Sequence, residues 1–334
     1  MPDSTVLSFT DPDVYHANFR RSRVEGVVIC RGEYRAEVTS VDLHRLRMQR
    51  GDEILPRVLS VSPSEERAPI VFGTNQNQPA MHFDGRELPQ HEIIVTGSGV
   101  PIHFRSSGAC HWGSMSLTLE DLAAAAQAVA GREFVAPFFT QFIRPPPAFL
   151  ARLSSLHEAA GHLARTAPDI LAQPEVARAL EQGLVHAMIL CISGGETAET
   201  GSVHYRHTVI MRRLEDLLEA NSDRTLYLVE LCSAAGVSEQ TLRACCHEHL
   251  GMSPTRYLWL RRMHLARRAL RISDPEVTTV TEIATSYGFW ELGRFSVAYR
   301  SLFGESPSAT RCRPPDDPPP QQNIASPWEF PESA

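Results

Sequence analysis

The chain has 334 residues, of which 43% are hydrophobic and 21% charged, enough for two domains with cores of their own. A formal net charge of −7 counts against a uniformly basic nucleic-acid binder, and no run of 18 apolar residues marks a membrane span. Seven cysteines without a C-x-x-C pair argue against a disulfide framework or a zinc finger.

The charge is unevenly spread. Arg224 to Arg313 holds 12 Arg against 8 Asp and Glu, a balance of +4 that leaves −11 on the remainder. An acidic body with a basic C-terminal segment is the asymmetry expected when one domain meets phosphates. All 32 basic residues are Arg, for which a GC-rich coding bias is sufficient cause, so Arg abundance alone is no sign of DNA binding. The opening MPDSTVLSFTDPDV has no leader pattern, and a cytoplasmic protein is expected.

Residues 1–24 read as polar and irregular. From about 25 to 116 the pattern is of short strands: Val27–Cys30, Arg35–Val41, Ile54–Val61, Ile70–Gly73, Glu92–Val95 and Ile102–Arg105, separated by Gly, Pro, Asn and Asp. Asp84-Gly85, between Ala80–Phe83 and Arg86–Leu88, reads as a hairpin turn. Many short strands at this spacing predict a jelly-roll-like β domain. Helices follow over about 118–192: Thr118 opens one that Gly131 stops, and Ala148–Ala164 and Pro174–Ile192 are longer. Residues 1–193 are expected to form one domain, 194–205 a small polar linker, 206–313 an all-α domain and 314–334 a disordered Pro- and Gln-rich tail. The expected class is α+β.

Within the all-α region one unit occurs twice. Gly236, Leu242, Cys246, Leu250, Gly251, Ser253 and Pro254 fall against Gly288, Phe295, Tyr299, Phe303, Gly304, Ser306 and Pro307. The offset is 52 residues at the first glycine and 53 thereafter, so the second turn carries one extra residue. Apolar residues four apart line one face of a short helix, and each helix is preceded by another that ends at glycine. Two short helices joined by a glycine turn are a helix-turn-helix. One copy could be an ordinary helical hairpin; two copies with matching turns and exits weaken that reading. Between them, Pro254–Ile272 reads as a rod of roughly 28 Å, capped by Ser253. That length suits two recognition helices about one turn of duplex apart, ~34 Å.

On these residues, together with Arg262, Ala266-Arg267, Ile283-Ala284, Gly288-Phe289 and the closing Gly304-Glu305-Ser306-Pro307-Ser308, the span 206–313 resembles the DNA-binding domain of the AraC/XylS transcription regulators. The N-terminal part is similar, more distantly, to the cupin-like regulatory domains joined to such regulators. The resemblance implies a ligand-responsive or homodimeric regulator, in most members an activator that contacts RNA polymerase. Its two recognition helices would enter successive major grooves of double-stranded DNA. Ala148–Ala164 and Pro174–Ile192 would be the dimerisation helices, and a small-molecule effector would act on the N-terminal domain. No cofactor, membrane contact or enzymatic activity is implied. A ligand-independent dimeric regulator and a cupin-type enzyme fused to a DNA-binding domain are the rival readings.

In the first recognition helix Ser238 is the cap, and Glu239, Gln240, Arg243 and His247 occupy the outer side. Gln pairs with adenine and Arg forks onto guanine, although any solvated helix face carries such residues. The second offers Leu292, Gly293, Arg294, Val297 and Arg300, a less polar set, with Trp290 where the family has a small polar cap. Arg256, Arg261 and Arg268 are candidates for phosphate contact, while Arg262 fits a phosphate or an internal ion pair. Thr279 with Glu282 reads as a capping box. His82, His91, His103 and His111 lack the tight His-x-His spacing of metal-binding cupins, so structural or pocket-lining roles are expected and no metal. Trp112 fits a core position or a pocket border. Cys246 takes a core position, and Cys245 is expected at partial exposure, where a thiol sensor is conceivable.

Overall fold

Val24–Val28, Arg57–Val61 and Ile93–Val95 form strands where β-branched residues can pack on both faces. The computed structural model describes residues 2–18, 24–62, 66–96, 101–198, 201–221, 225–274 and 276–312. In chain order these form β1 (Asp3–Phe9), α1 (Pro12–Asn18), β2 (Val24–Val28), β3 (Ala36–Asp42), β4 (Arg47–Glu53), β5 (Arg57–Val61) and β6 (Arg67–Gly73). Then come β7 (Met81–Phe83), β8 (Arg86–Leu88), β9 (Ile93–Val95), β10 (Ile102–Ser106) and β11 (Cys110–Thr118). A helical stretch follows with α2 (Leu119–Ala130), β12 (Gln141–Arg144), α3 (Pro147–Thr166), α4 (Pro168–Leu171), α5 (Pro174–Gly194) and β13 (Glu196–Thr197). The last part is α6 (Ser202–Ala220), α7 (Leu228–Ala235), α8 (Glu239–Leu250), α9 (Pro254–Ile272), α10 (Val280–Ser286), α11 (Leu292–Phe303) and α12 (Pro307–Cys312).

The strands pair antiparallel in two sheets, ordered β1-β3-β4-β11-β6-β9-β12-β13 and β2-β5-β10-β7-β8. An N-terminal β-rich domain and a C-terminal helical region are thus the expected α+β class. The β7–β8 hairpin turns on Asp84 and Gly85, both at positive φ, with Phe83 paired to Arg86. That is the geometry a two-residue Asp-Gly turn supplies.

The β region reaches beyond residues 25–116 in both directions. Residues 3–18, expected to be irregular, are not: β1 pairs with β3 along its whole length, and α1 follows it. Asp3, Ser4, Thr5 and Ser8 hide this strand from a hydrophobic pattern, because only Leu7 and Phe9 reach the core. The expected linker is partly tied down. α5 runs to Gly194, Glu196–Thr197 pairs with β12, and the Ala198 N–H donates to the Phe142 carbonyl at 2.9 Å. The tail 314–334 lies outside the described residues. α5, long and apolar enough to cross a membrane, instead buries Ala177, Leu184, Ala187 and Met188 in a core shared with α2 and α3.

The helical region does not pack alone. Val27 of β2 and Val58 of β5 belong to the same buried cluster as Leu242, Met263 and Tyr299. Charges reinforce that contact. Arg267 of α9 pairs with Asp11 and Asp13 at the head of α1, with Arg267 and Asp11 buried and Asp13 half-buried. Arg268 reaches Asp13 at 2.9 Å, Arg271 pairs with Asp11, and the His264 ring lies 3.1 Å from the Val28 carbonyl. Removing one member of a buried ion pair strands the other charge. Arg267→Met is therefore expected to lower stability in denaturant unfolding by about 3 kcal/mol. A loss well below 1 kcal/mol would mean that Arg268 and Arg271 carry the contact without it.

Burial also sets a pH dependence. Desolvation drives the pKa of His16 down to about 3, His157 to about 4, His249 to about 2 and His264 to about 4. These rings stay neutral when folded, whereas an unfolded imidazole takes up a proton below about 6.5. The unfolded chain then binds more protons, and stability falls as pH falls through that value. His103 acts oppositely: burial, the largest single effect, disfavours its charge, but Glu215 and Asp84 together outweigh it and raise its pKa. Its contribution is present in acid and is lost as pH rises through that raised value. Four groups against one predict a Tm that declines from about pH 7 to about pH 5 in calorimetry, and a rising Tm would contradict the assignment.

Candidate nucleic-acid interface

Each recognition helix is set by its turn. Gly236 (φ 68°) closes α7, and Gly288 (φ 75°) holds the same place after α10, in a left-handed backbone that side chains disfavour. The Ser238 hydroxyl then accepts from the Thr241 N–H at 3.2 Å and starts α8. α10 opens on the Thr279–Glu282 capping box. α11 begins at Leu292 with Glu291 in the cap position and no side-chain capping bond, so Trp290 precedes the cap rather than replacing it. Leu242, Cys246 and Leu250 are buried on α8, and Phe295 and Tyr299 on α11. Phe303 is half-buried, and Leu302 takes the buried place beside it.

The opposite faces are open. Ser238, Glu239, Gln240, Arg243 and His247 are all exposed. Arg243 holds Glu239 one turn back at 2.6 Å, with both side chains more than half exposed. Such a pair contributes little and can be exchanged for another partner. On α11, Gly293, Arg294, Val297 and Arg300 are exposed, and Arg294 pairs with Glu291 at 2.8 Å. Leu292, expected on this face, is half-buried against the core. Ser296 is exposed and shares the face, which the three- and four-residue spacing from Gly293 and Arg300 could have signalled. Trp290 at 74% exposure and Val297 at 72% give the second unit an apolar outer surface.

The arginines of α9 divide by side. Arg256 is exposed and lies over the Trp259 ring. Arg261, expected to face phosphates, is buried: it donates to the Leu218 carbonyl at 3.0 Å and pairs with Glu25 at 3.4 Å. Arg268 is likewise taken up by Asp13. Both lie on the side of α9 that meets acidic residues of the β domain. Arg262 makes no ion pair among the described residues and lies over the Phe289 ring.

Inside the β domain a cavity of about 80 Å³ is lined by Tyr15, Glu53, Arg57, Phe104 and Trp112 among others. Arg57 and Glu53 form a buried pair. Tyr15 Oη donates to Glu53 Oε1 at 2.8 Å, and Trp112 Nε1 donates to the same oxygen at 2.9 Å. Glu53 Oε2 and Arg57 Nε are buried without a hydrogen-bond partner among the described residues. Trp112 thus borders the pocket and also packs, half-buried, against the core.

Histidines and cysteines also differ from expectation. His91 is exposed, His82 half-buried, and His111 pairs with Asp52. His103 is buried 2.9 Å from Glu215 and lies beside Asp84 and His249, a grouping of metal-ligating residue types that strand spacing could not indicate. Cys245 is fully buried, not partly exposed, and burial pushes its thiol up to about 11 and that of Cys246 to about 12. Neither is a thiolate at neutral pH, which removes the basis for a thiol sensor.

Comparison with known proteins bears on the helical region. A family model described as a helix-turn-helix domain matches residues 231–313. The XylDLEGF operon transcriptional activator 2 of Pseudomonas putida is 36% identical over 98 residues, 29% of this chain and 62% of the relative. The transcriptional activator NphR of a Rhodococcus species is 31% identical over 113 residues, 34% of this chain and 32% of the relative. The chain therefore spans less than two thirds of the length of these relatives. A solved structure of "a probable AraC family transcriptional regulator" from Rhodopseudomonas palustris is 34% identical over 30% of this chain and 94% of that one, with a TM-score of 0.28. The AraC-like transcriptional activator CuxR matches 79% of this chain at 14% identity and a TM-score of 0.35. Through its tandem helix-turn-helix region, this chain belongs to the AraC/XylS family of transcription regulators.

Proposed function

We propose that the chain is a cytoplasmic, sequence-specific double-stranded DNA-binding transcription regulator that acts as an activator through contact with RNA polymerase. α8 and α11 enter successive major grooves, and α9 sets their spacing. The observation that carries this reading is the division of α8: Leu242, Cys246 and Leu250 are sealed in the core while Gln240, Arg243 and His247 stand outside. Gln240 and Arg243 have the hydrogen-bonding geometry for base edges. α11, with Val297 and Trp290 exposed, reads by apolar contact with thymine methyls, and Arg294 and Arg300 supply its polar contacts. Arg256 serves as a phosphate contact. Residues 1–193 act as the regulatory and dimerisation domain, with α3 and α5 as homodimer helices.

Control is proposed to run through α1. Tyr15 on this helix lines the cavity, while Asp11 and Asp13 at its head hold Arg267, Arg268 and Arg271 of α9. A small effector that takes the unpartnered Glu53 and Arg57 atoms would disturb Tyr15 and so bias the hold of α1 on α9. A β domain used for dimerisation alone leaves those two buried polar atoms without a use.

The test is Arg243→Ala. Binding to the selected operator is expected to weaken by ~1–3 kcal/mol in fluorescence anisotropy, with circular dichroism and binding to random duplex unchanged. Equal losses on operator and random duplex would assign Arg243 to phosphate contact instead.

A further inference from the structure

We propose that the junction between the β domain and the first recognition helix binds one divalent transition-metal ion of the zinc class, with Asp84, His103 and His249 as its ligands. Each residue offers a ligand atom, and the three atoms lie within 4.8 Å of one another. All three residues are buried. His249 is fully enclosed, yet neither of its ring nitrogens has a hydrogen-bond partner among the described residues. A buried imidazole with two idle nitrogens is costly unless something occupies them.

The surroundings are those of a metal site. Glu215 lies 2.9 Å from His103 Nε2, the carboxylate partner that orients a ligating imidazole. Asp84 is held by the His103 backbone N–H at 2.9 Å and the Thr140 hydroxyl at 2.8 Å. Two imidazoles and one carboxylate suit zinc, cobalt or nickel rather than calcium or magnesium, which demand oxygen ligands. With three protein ligands, the fourth position of a tetrahedral ion is left to water.

A route inward is present. His204 stacks on His249 with ring centroids 5.7 Å apart, and Glu248 pairs with both His204 and His207. His204, Glu248 and His249 form a second, half-buried group that shares His249 with the inner one. A cleft of about 570 Å³, lined by Asp84, Phe138, Phe139, His204 and Tyr205, opens beside it. The outer group captures the ion and the inner one keeps it. Because Asp84 and His103 belong to the β domain and His249 to α8, the bound ion fastens the first recognition helix to that domain. The effect on DNA binding rests on the regulator reading; the metal site does not.

The test uses the full chain, stripped with a chelator and titrated with Co(II) by visible absorption and with Zn(II) by calorimetry. One equivalent should bind with the d–d bands of nitrogen and oxygen ligation. His249→Gln and Asp84→Asn should each weaken binding at least about 10-fold, while His204→Ala slows uptake and leaves the affinity within about 3-fold. Circular dichroism identifies any variant that fails to fold, and Asp84→Asn, which keeps size and shape, then decides. Absence of saturable one-to-one binding overturns the site. So does loss in His204→Ala with none in Asp84→Asn, which would move the ion to the outer group. Altered operator affinity on adding Zn(II) is read separately, so failure of the regulator reading leaves the stoichiometry intact.

Discussion

The constraint on which the arrangement depends is the double duty of α9. One side of this helix buries Leu258, Met263, Ala266 and Leu270 in the core that carries both helix-turn-helix units. The other side gives Arg261, Arg267, Arg268 and Arg271 to Glu25, Asp11 and Asp13 of the N-terminal part. A helix fixed by packing alone could slide along an apolar neighbour; four guanidiniums on three carboxylates fix its register. Their burial is not free stability, since desolvation offsets much of the Coulomb gain. What the pairs supply is a defined relation between α1 and the spacer of the recognition helices.

The same economy appears inside the β domain. β4 reads Arg-Met-Gln-Arg-Gly-Asp-Glu, yet it is paired on both sides, by β3 and β11. Glu53 at its end is buried because Arg57, Tyr15 and Trp112 all meet its carboxylate. Gly51 lies beneath the Trp112 indole, and a Cβ there would fall 2.2 Å from the ring. Gln49 and Glu53 of this strand therefore help build the cavity wall, and the cavity inherits an ion pair with Glu53 Oε2 and Arg57 Nε unpartnered among the described residues.

This explains what could be read from residues alone and what could not. Helices with local signals were legible: Thr118 and Gly131 bound α2, Ser238 caps α8, Ser253 caps α9, and Thr279 with Glu282 opens α10. Each depends on contacts within a few residues. β1, β4 and β11 were missed because their polar and small residues are compensated by distant partners, which no local period reveals. Arg261 and Leu292 failed for the same reason: a helix has several sides, and only the tertiary neighbours decide which one faces solvent. His103 with His249 is the extreme case, its members 146 positions apart.

The two copies of the repeat have come to differ in what lies behind them. α11 rests on aromatic contacts, Phe295 and Tyr299 meeting in sequence with Phe289 and Phe303, within the helical region. α8 backs onto the β domain: Glu248 lies against Gly85, Gly251 against Arg105, and the His249 ring against His103. In the proposed reading α8 is also the copy with the richer set of base-reading side chains. The β domain thus abuts the helix with the richer proposed base-reading set, whereas α11 rests on aromatic contacts of the helical region. In that reading the twelve residues of α8 carry base-reading side chains on their outer face and meet the β domain at their C-terminal end.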